Sequence, residues 1–113
     1  MAYQEILQAL ADPTRRSIFE ELRRGPSPVG RLAEKIPVSR PAVSQHLRVL
    51  KGAGLVRERQ TGTRRVYSVE LHGLVELRKY LDGFWEDVLR AFKAEAERAG
   101  SSAGEEDDGR EQG

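Results

Sequence analysis

The stretch from Val38 to Leu55, VSRPAVSQHLRVLKGAGL, constrains the fold more than any other part of the chain. Ser39 is a good N-cap, Pro41 sits in the first turn where its missing N–H costs nothing, and Ala53-Gly54 supplies a stop. Residues 40–53 therefore read as one helix. Val43, Leu47 and Leu50 recur at i, i+4 and i+7 and turn toward a core, while Arg40, Pro41, Ser44, Gln45 and Arg48 fall on the opposite side. That outer face carries no acidic residue. It suits base edges, because Gln pairs with adenine N6 and N7, Arg pairs with guanine O6 and N7, and Ser reaches either a base or a phosphate. The small Ala42 lets the helix start approach closely.

The flanking segments turn this helix into a motif. Val29 to Ile36 reads as a two-turn helix with Leu32, Ala33 and Ile36 inward, and Pro37-Val38-Ser39 is only long enough for a turn. A short helix, a tight turn and a longer helix with a polar outer face form a helix-turn-helix, in which the second helix enters the major groove and the first braces across the backbone. From Val56 the periodicity changes. VRERQ and RRVYSV are strand-like runs on either side of Thr61-Gly62-Thr63, which predicts a β-hairpin with a three-residue turn. Placed after a recognition helix, such a hairpin is a wing. Arg57, Arg59, Arg64 and Arg65 crowd it, and with Arg48 and Lys51 they are expected to hold phosphate or enter a minor groove. The alternative is an edge hairpin kept apart from other edges by charge. Tyr67 and Val69 share one strand face and are expected to pack beneath the helices.

Upstream, residues 3–11 form a short amphipathic helix presenting Tyr3, Ile6, Leu7 and Leu10, too short to stand alone. Asp12-Pro13 then starts a second helix that reads through to Arg24 before Gly25-Pro26 stops it. Arg15, Arg16, Arg23 and Arg24 lie near its ends, expected either in solvent or against phosphate.

Residues 71–98 predict one long helix. Its stripe of Leu74, Leu77, Leu81, Phe84, Val88 and Phe92, widened by Val75, Trp85 and Leu89, exceeds what a small three-helix core covers. Packing against a second copy accounts for the excess, and the expected interface comprises Tyr3, Ile6, Leu7, Leu10, Leu74, Leu77, Leu81, Phe84, Trp85 and Val88. The alternative is an intramolecular cover helix. Gly83 weakens this helix by roughly 1 kcal/mol relative to Ala and is consistent with another helix approaching there. Residues 100–113, GSSAGEEDDGREQG, read as a disordered acidic tail behind a single domain spanning 1–99.

Composition narrows the function. The sequence contains no cysteine, which removes disulfides, thiol nucleophiles and thiolate metal sites. It has no apolar run near about 18 residues and no signal-peptide pattern, so no membrane partner is expected and a cytoplasmic location is the default. Two histidines, no Gly-rich phosphate loop and no serine with a base at fixed spacing argue against an enzyme, with no catalytic residue or cofactor expected. The net charge of +1 hides a division: residues 1–69 hold 13 Lys/Arg against 6 Asp/Glu, and residues 39–65 hold seven basic side chains against one acidic. The middle of the chain is thus built to meet a polyanion. A dimeric protein-interaction module on the same scaffold is the competing reading, disfavoured by the acid-free helix face.

Taken together and in order, Leu10-Ala11-Asp12-Pro13-Thr14-Arg15-Arg16, Ser39-Arg40-Pro41-Ala42-Val43-Ser44-Gln45-His46-Leu47 with Leu50, Ala53-Gly54-Leu55-Val56, and the wing with Gly62 and Tyr67 resemble the ArsR/SmtB family of bacterial winged-helix repressors over residues 3–95. The resemblance implies a mainly α fold with a small β-hairpin (α+β), a winged helix-turn-helix of order α-α-α-α-β-β-α dimerising through its first and last helices. It also implies a homodimer that binds double-stranded operator DNA, often near its own promoter, and blocks transcription. The family's base-contacting positions fall on Arg40, Pro41, Ser44 and Gln45. Many relatives sense metals through cysteines or through a carboxylate and histidine set on the last helix. Here Glu70 and His72 resemble half of that set, with Gly83 and Glu86 at the second half, a poor zinc site. The chain is therefore more similar to the metal-independent branch. His72 is expected at the surface and His46 partly buried beside Leu47. The residues name no effector.

Overall fold

Helix boundaries in this chain follow from local capping chemistry. In the computed structural model, which describes residues 2–103, α1 (Ala2–Ala11) leads directly into α2 (Pro13–Leu22) through Asp12, whose carboxylate accepts from Arg15 N at 2.9 Å. The same Arg15 turns back. Its Nε donates to Ala9 O at 2.7 Å and Arg16 Nη1 donates to Leu10 O at 2.8 Å, so two guanidinium groups satisfy carbonyls left open at the C-terminus of α1. These arginines are structural caps, a role outside both expectations for them. α2 closes two residues earlier than the sequence pattern suggests, because Arg23 and Arg24 donate to Glu20 O and Glu21 O in a tightened last turn before Gly25.

The helix-turn-helix forms as expected. α3 (Val29–Lys35) is followed by a short turn and α4 (Arg40–Gly52), and Ser39 Oγ accepts from Ala42 N at 3.2 Å at the start of α4. α4 ends in a left-handed residue, Gly54 at φ +77°, with Gly54 N donating to Lys51 O and Leu55 N to Leu50 O. That end abuts the last helix. Gly73 N donates to Gly54 O at 2.8 Å, and a Cβ on Gly73 would stand 2.4 Å from the same oxygen, so only glycine fits the contact.

Two strands make the wing, β2 (Val56–Thr61) and β3 (Arg64–Val69), but they belong to a three-stranded antiparallel sheet of order β1-β3-β2. The extra strand, β1 (Ser27–Pro28), pairs Ser27 with Tyr67 and Pro28 with Val66. Two residues ending in proline carry no strand periodicity, and the proline is tolerated because β1 lies at an edge. Thr61 pairs with Arg64, so the turn has two residues, Gly62-Thr63, where three were expected. Gly62 at φ +64° before a residue of negative φ is the type II′ geometry that matches strand twist.

The core collects Ile6, Ile18, Leu22, Leu32, Val43, Leu47, Leu50, Leu55 and Val56, all 2 % exposed or less, with Tyr67 closing one side. Ile6, expected at a subunit interface, is wholly buried in this core because α1 packs onto α2 and α4. Leu10, Leu74 and Leu77 are partly buried against it as well.

The chain divides into two units, and α5 (Leu71–Ala103) crosses the division at Lys79 and Tyr80. The helix continues past the expected end at residue 98 and takes in residues 100–103, which were expected to begin a disordered tail; Gly100 weakens the helix without a proline to stop it, and the rest of the expected tail, 104–113, lies outside the described residues. In the second unit Leu81, Phe84, Trp85, Leu89 and Phe92 are 47–69 % exposed, with Val88 half-buried.

Candidate nucleic-acid interface

Alternation along the hairpin decides which basic side chains share a face. The register pairs Glu58 with Tyr67 and Gln60 with Arg65, so these four turn to one side, while the pairs Arg57–Ser68, Arg59–Val66 and Thr61–Arg64 turn to the other. On the first side a groove of about 940 Å³ opens between α3, α4 and the wing. Arg31 from α3, Arg40, Ser44, Arg48 and Lys51 from α4, and Arg65 from β3 line it, joined at the wing tip by Thr63 and Arg64. Glu34 and Glu58 are its acids.

Of the residues expected to read bases, Arg40 and Ser44 line this groove, and Pro41 is exposed in the first turn of α4. Gln45 is also exposed, its Oε1 accepting from Arg48 Nη1 at 2.9 Å on the outer helix surface. Among the residues expected to hold phosphate, Arg48, Lys51, Arg64 and Arg65 meet at the groove, whereas Arg57 and Arg59 are exposed on β2 away from it. The hairpin register sets Arg65 apart from Arg57 and Arg59, whereas Arg64 shares their face and reaches the groove from the wing tip.

Glu58 is the residue that sequence reasoning passed over. Lys51 Nζ lies 3.2 Å from its Oε1 and Arg65 Nη1 lies 2.8 Å from its Oε2. The hydrogen bond from Lys51, reinforced by the charges of Lys51 and Arg65, holds the Glu58 carboxyl below its ordinary value. The cross-strand Tyr67 hydroxyl feels the opposite push, raised chiefly by burial and then by the Glu58 charge. A register drawn from the Val56–Val69 pairing would have placed Glu58 beside Tyr67 in advance. Arg31 was missed too, although the helical period of α3 turns it about 100° away from the inward Leu32.

His46 is half-buried, its Nδ1 3.4 Å from Arg15 Nη1, and His72 is exposed at the start of α5. Glu70 accepts from His72 N at 3.1 Å at the start of α5. No group of three or more His, Cys, Asp or Glu side chains among the described residues is arranged to hold a metal ion. No helix among the described residues is long and apolar enough to cross a membrane.

Residues 10–59 match a family described as a helix-turn-helix domain. Over 85 residues the chain is 59 % identical to the HTH-type transcriptional regulator Rv2034 of Mycobacterium tuberculosis, covering 75 % of this chain and 79 % of that protein. It is 38 % identical over 73 residues to the HTH-type transcriptional repressor SmtB of the same species, covering 65 % of this chain and 54 % of SmtB. Among solved structures, the homodimeric winged helix-turn-helix DNA-binding domain of Mb0332 from Mycobacterium bovis, a possible ArsR-family transcriptional regulator, aligns with TM-score 0.62 at 26 % identity. That alignment covers 80 % of this chain and 83 % of the other.

Proposed function

Because the chain belongs to the ArsR/SmtB family of helix-turn-helix transcriptional regulators, we propose that it is a homodimeric, metal-independent repressor that binds an inverted-repeat operator beside its own gene. The observation that carries this reading is the groove itself: an acid-free outer helix face flanked by a wing, with six cationic side chains converging on one opening. Such a surface fits a duplex, whose phosphates supply affinity while base edges supply sequence. It does not fit an acidic protein partner equally well, because Ser44 in the groove and Gln45 on the outer face of α4 offer uncharged groups suited to base edges.

In this reading Arg40, Ser44 and Gln45 contact bases and Pro41 sets the close approach of the helix start. Arg48 and Arg64 hold phosphate. Two copies joined through the exposed stripe of α5, with Leu7 and Tyr3 of α1 contributing, present two α4 helices to successive major-groove faces. Their half-sites then lie about 34 Å apart, one helical turn. The absence of cysteine from the sequence supports metal independence.

A gel shift with the DNA directly upstream of the coding region tests the proposal. Saturable binding unaffected by a zinc chelator is expected. Gln45→Ala should then cost about 1–3 kcal/mol on that fragment and little on random duplex. Equal loss on both would remove Gln45 from base reading, and chelator-sensitive binding would overturn metal independence.

A further inference from the structure

Glu58 is an anomaly on a surface meant for a polyanion. It is the single acidic residue within 39–65, and its side chain is 17 % exposed where the wing meets α4. If the groove needed only affinity, an uncharged residue here would serve better, since a carboxylate repels approaching phosphate and occupies cations that would otherwise attract it. The ion pairs show what it occupies. Lys51 comes from the last turn of α4 and Arg65 from β3, so one carboxylate bridges the base-reading helix to the wing.

Two consequences follow from that bridge. Lys51 and Arg65 are engaged with Glu58 when the groove is empty, so a phosphate must draw them away from it at a cost. Binding driven by phosphates alone bears the whole of that cost. Binding that is also anchored by base contacts keeps the bridge intact and uses it to fix the spacing between α4 and the wing. The geometry points to Glu58 as a specificity-determining residue, a fixed anion in the DNA groove that withholds Lys51 and Arg65 from sequence-independent phosphate contacts. The inference rests on the DNA-binding reading above.

Fluorescence anisotropy on a 30-base-pair mixed-sequence duplex, across a salt series, tests it. Glu58→Gln keeps the side-chain shape and removes the charge. The variant should bind this duplex roughly 3- to 10-fold tighter at low salt, and its log affinity against log salt should steepen by about one to two as the freed cations find phosphates. In a Lys51→Met/Arg65→Met background, adding Glu58→Gln should leave the slope unchanged. A merely structural carboxylate would give weaker binding at an unaltered slope, which would overturn the proposal. Should Glu58→Gln unfold, the double variant with Glu58 intact decides the matter: it should keep a slope near wild type, and a slope shallower by about two would show that both cations already contact phosphate. Wild-type protein that binds neither this duplex nor the upstream fragment would overturn the DNA-binding reading and this inference together; wild-type binding with an unresponsive Glu58→Gln slope would overturn the inference alone.

Discussion

The α4–wing region and the second half of α5 are both rich in exposed side chains, yet they are exposed for opposite reasons. Beneath α4, Val43, Leu47 and Leu50 are entirely buried, and what remains outside is mostly charged or polar, with Val49 and Pro41 the apolar exceptions. Along α5 beyond Tyr80 the outward residues include Phe84 at 60 %, Trp85 at 61 % and Phe92 at 69 % exposure. The first region completes its own packing within one chain and offers a surface to a hydrophilic partner. The second leaves large aromatic groups in water, a state that stable monomers seldom maintain over a continuous patch. Among the described residues, no heavy atom outside the helix's own nearby backbone lies within 4 Å of where a Cβ on Gly83 would stand. Under the proposed function, recognition is built into one copy and spacing requires two.

The strongest way to break the contrast is to charge the open region. Phe84→Glu/Trp85→Glu should abolish self-association and lower affinity for a two-half-site fragment by at least about 100-fold, since hot-spot aromatics carry most of an interface's energy. Sedimentation velocity checks the first effect and anisotropy the second. The amides of α4 should remain protected from hydrogen exchange. If α4 loses protection, the two regions are one cooperative structure and the contrast fails.

A cut into the closed region should behave differently. Leu47→Ala removes a fully buried side chain and is expected to cost about 2–5 kcal/mol of unfolding free energy, read by urea denaturation. A loss under about 1 kcal/mol would mean that the core beneath α4 is looser than its burial implies. The smallest effect belongs to the wing tip. Arg64→Ala should weaken binding several-fold on operator and random duplex alike and flatten the salt slope by about one, because a single phosphate contact is lost. An unchanged slope would place the tip in solvent.

Much of this was legible in the chain before any coordinates. Ser39, Pro41 and Gly54 mark both ends of α4 by chemistry local to them, and the 3.6-residue period separates Val43, Leu47 and Leu50 from Arg40, Ser44 and Gln45 without reference to anything distant. Features that depend on distant contacts were not legible. β1 exists only because Ser27 and Pro28 meet Tyr67 and Val66, and two residues carry no pattern of their own. Arg15 and Arg16 cap α1 because α2 folds back on it, so charge alone could not reveal their role. Ile6 shares its helix with the exposed Leu7, and only the packing of α1 on α2 and α4 shows that it faces inward. Within the site, the α4 face was readable, whereas the Glu58 bridge depends on a hairpin register that moved when the turn proved to have two residues.

The central claim is that two copies, joined through α5, hold two α4 faces one turn of duplex apart. Hydroxyl-radical footprinting of the upstream fragment measures this directly. Two protected patches related by a dyad, with centres about 10 base pairs apart, are the predicted result. A single protected patch at saturation, from a species that sediments as one chain, would contradict it.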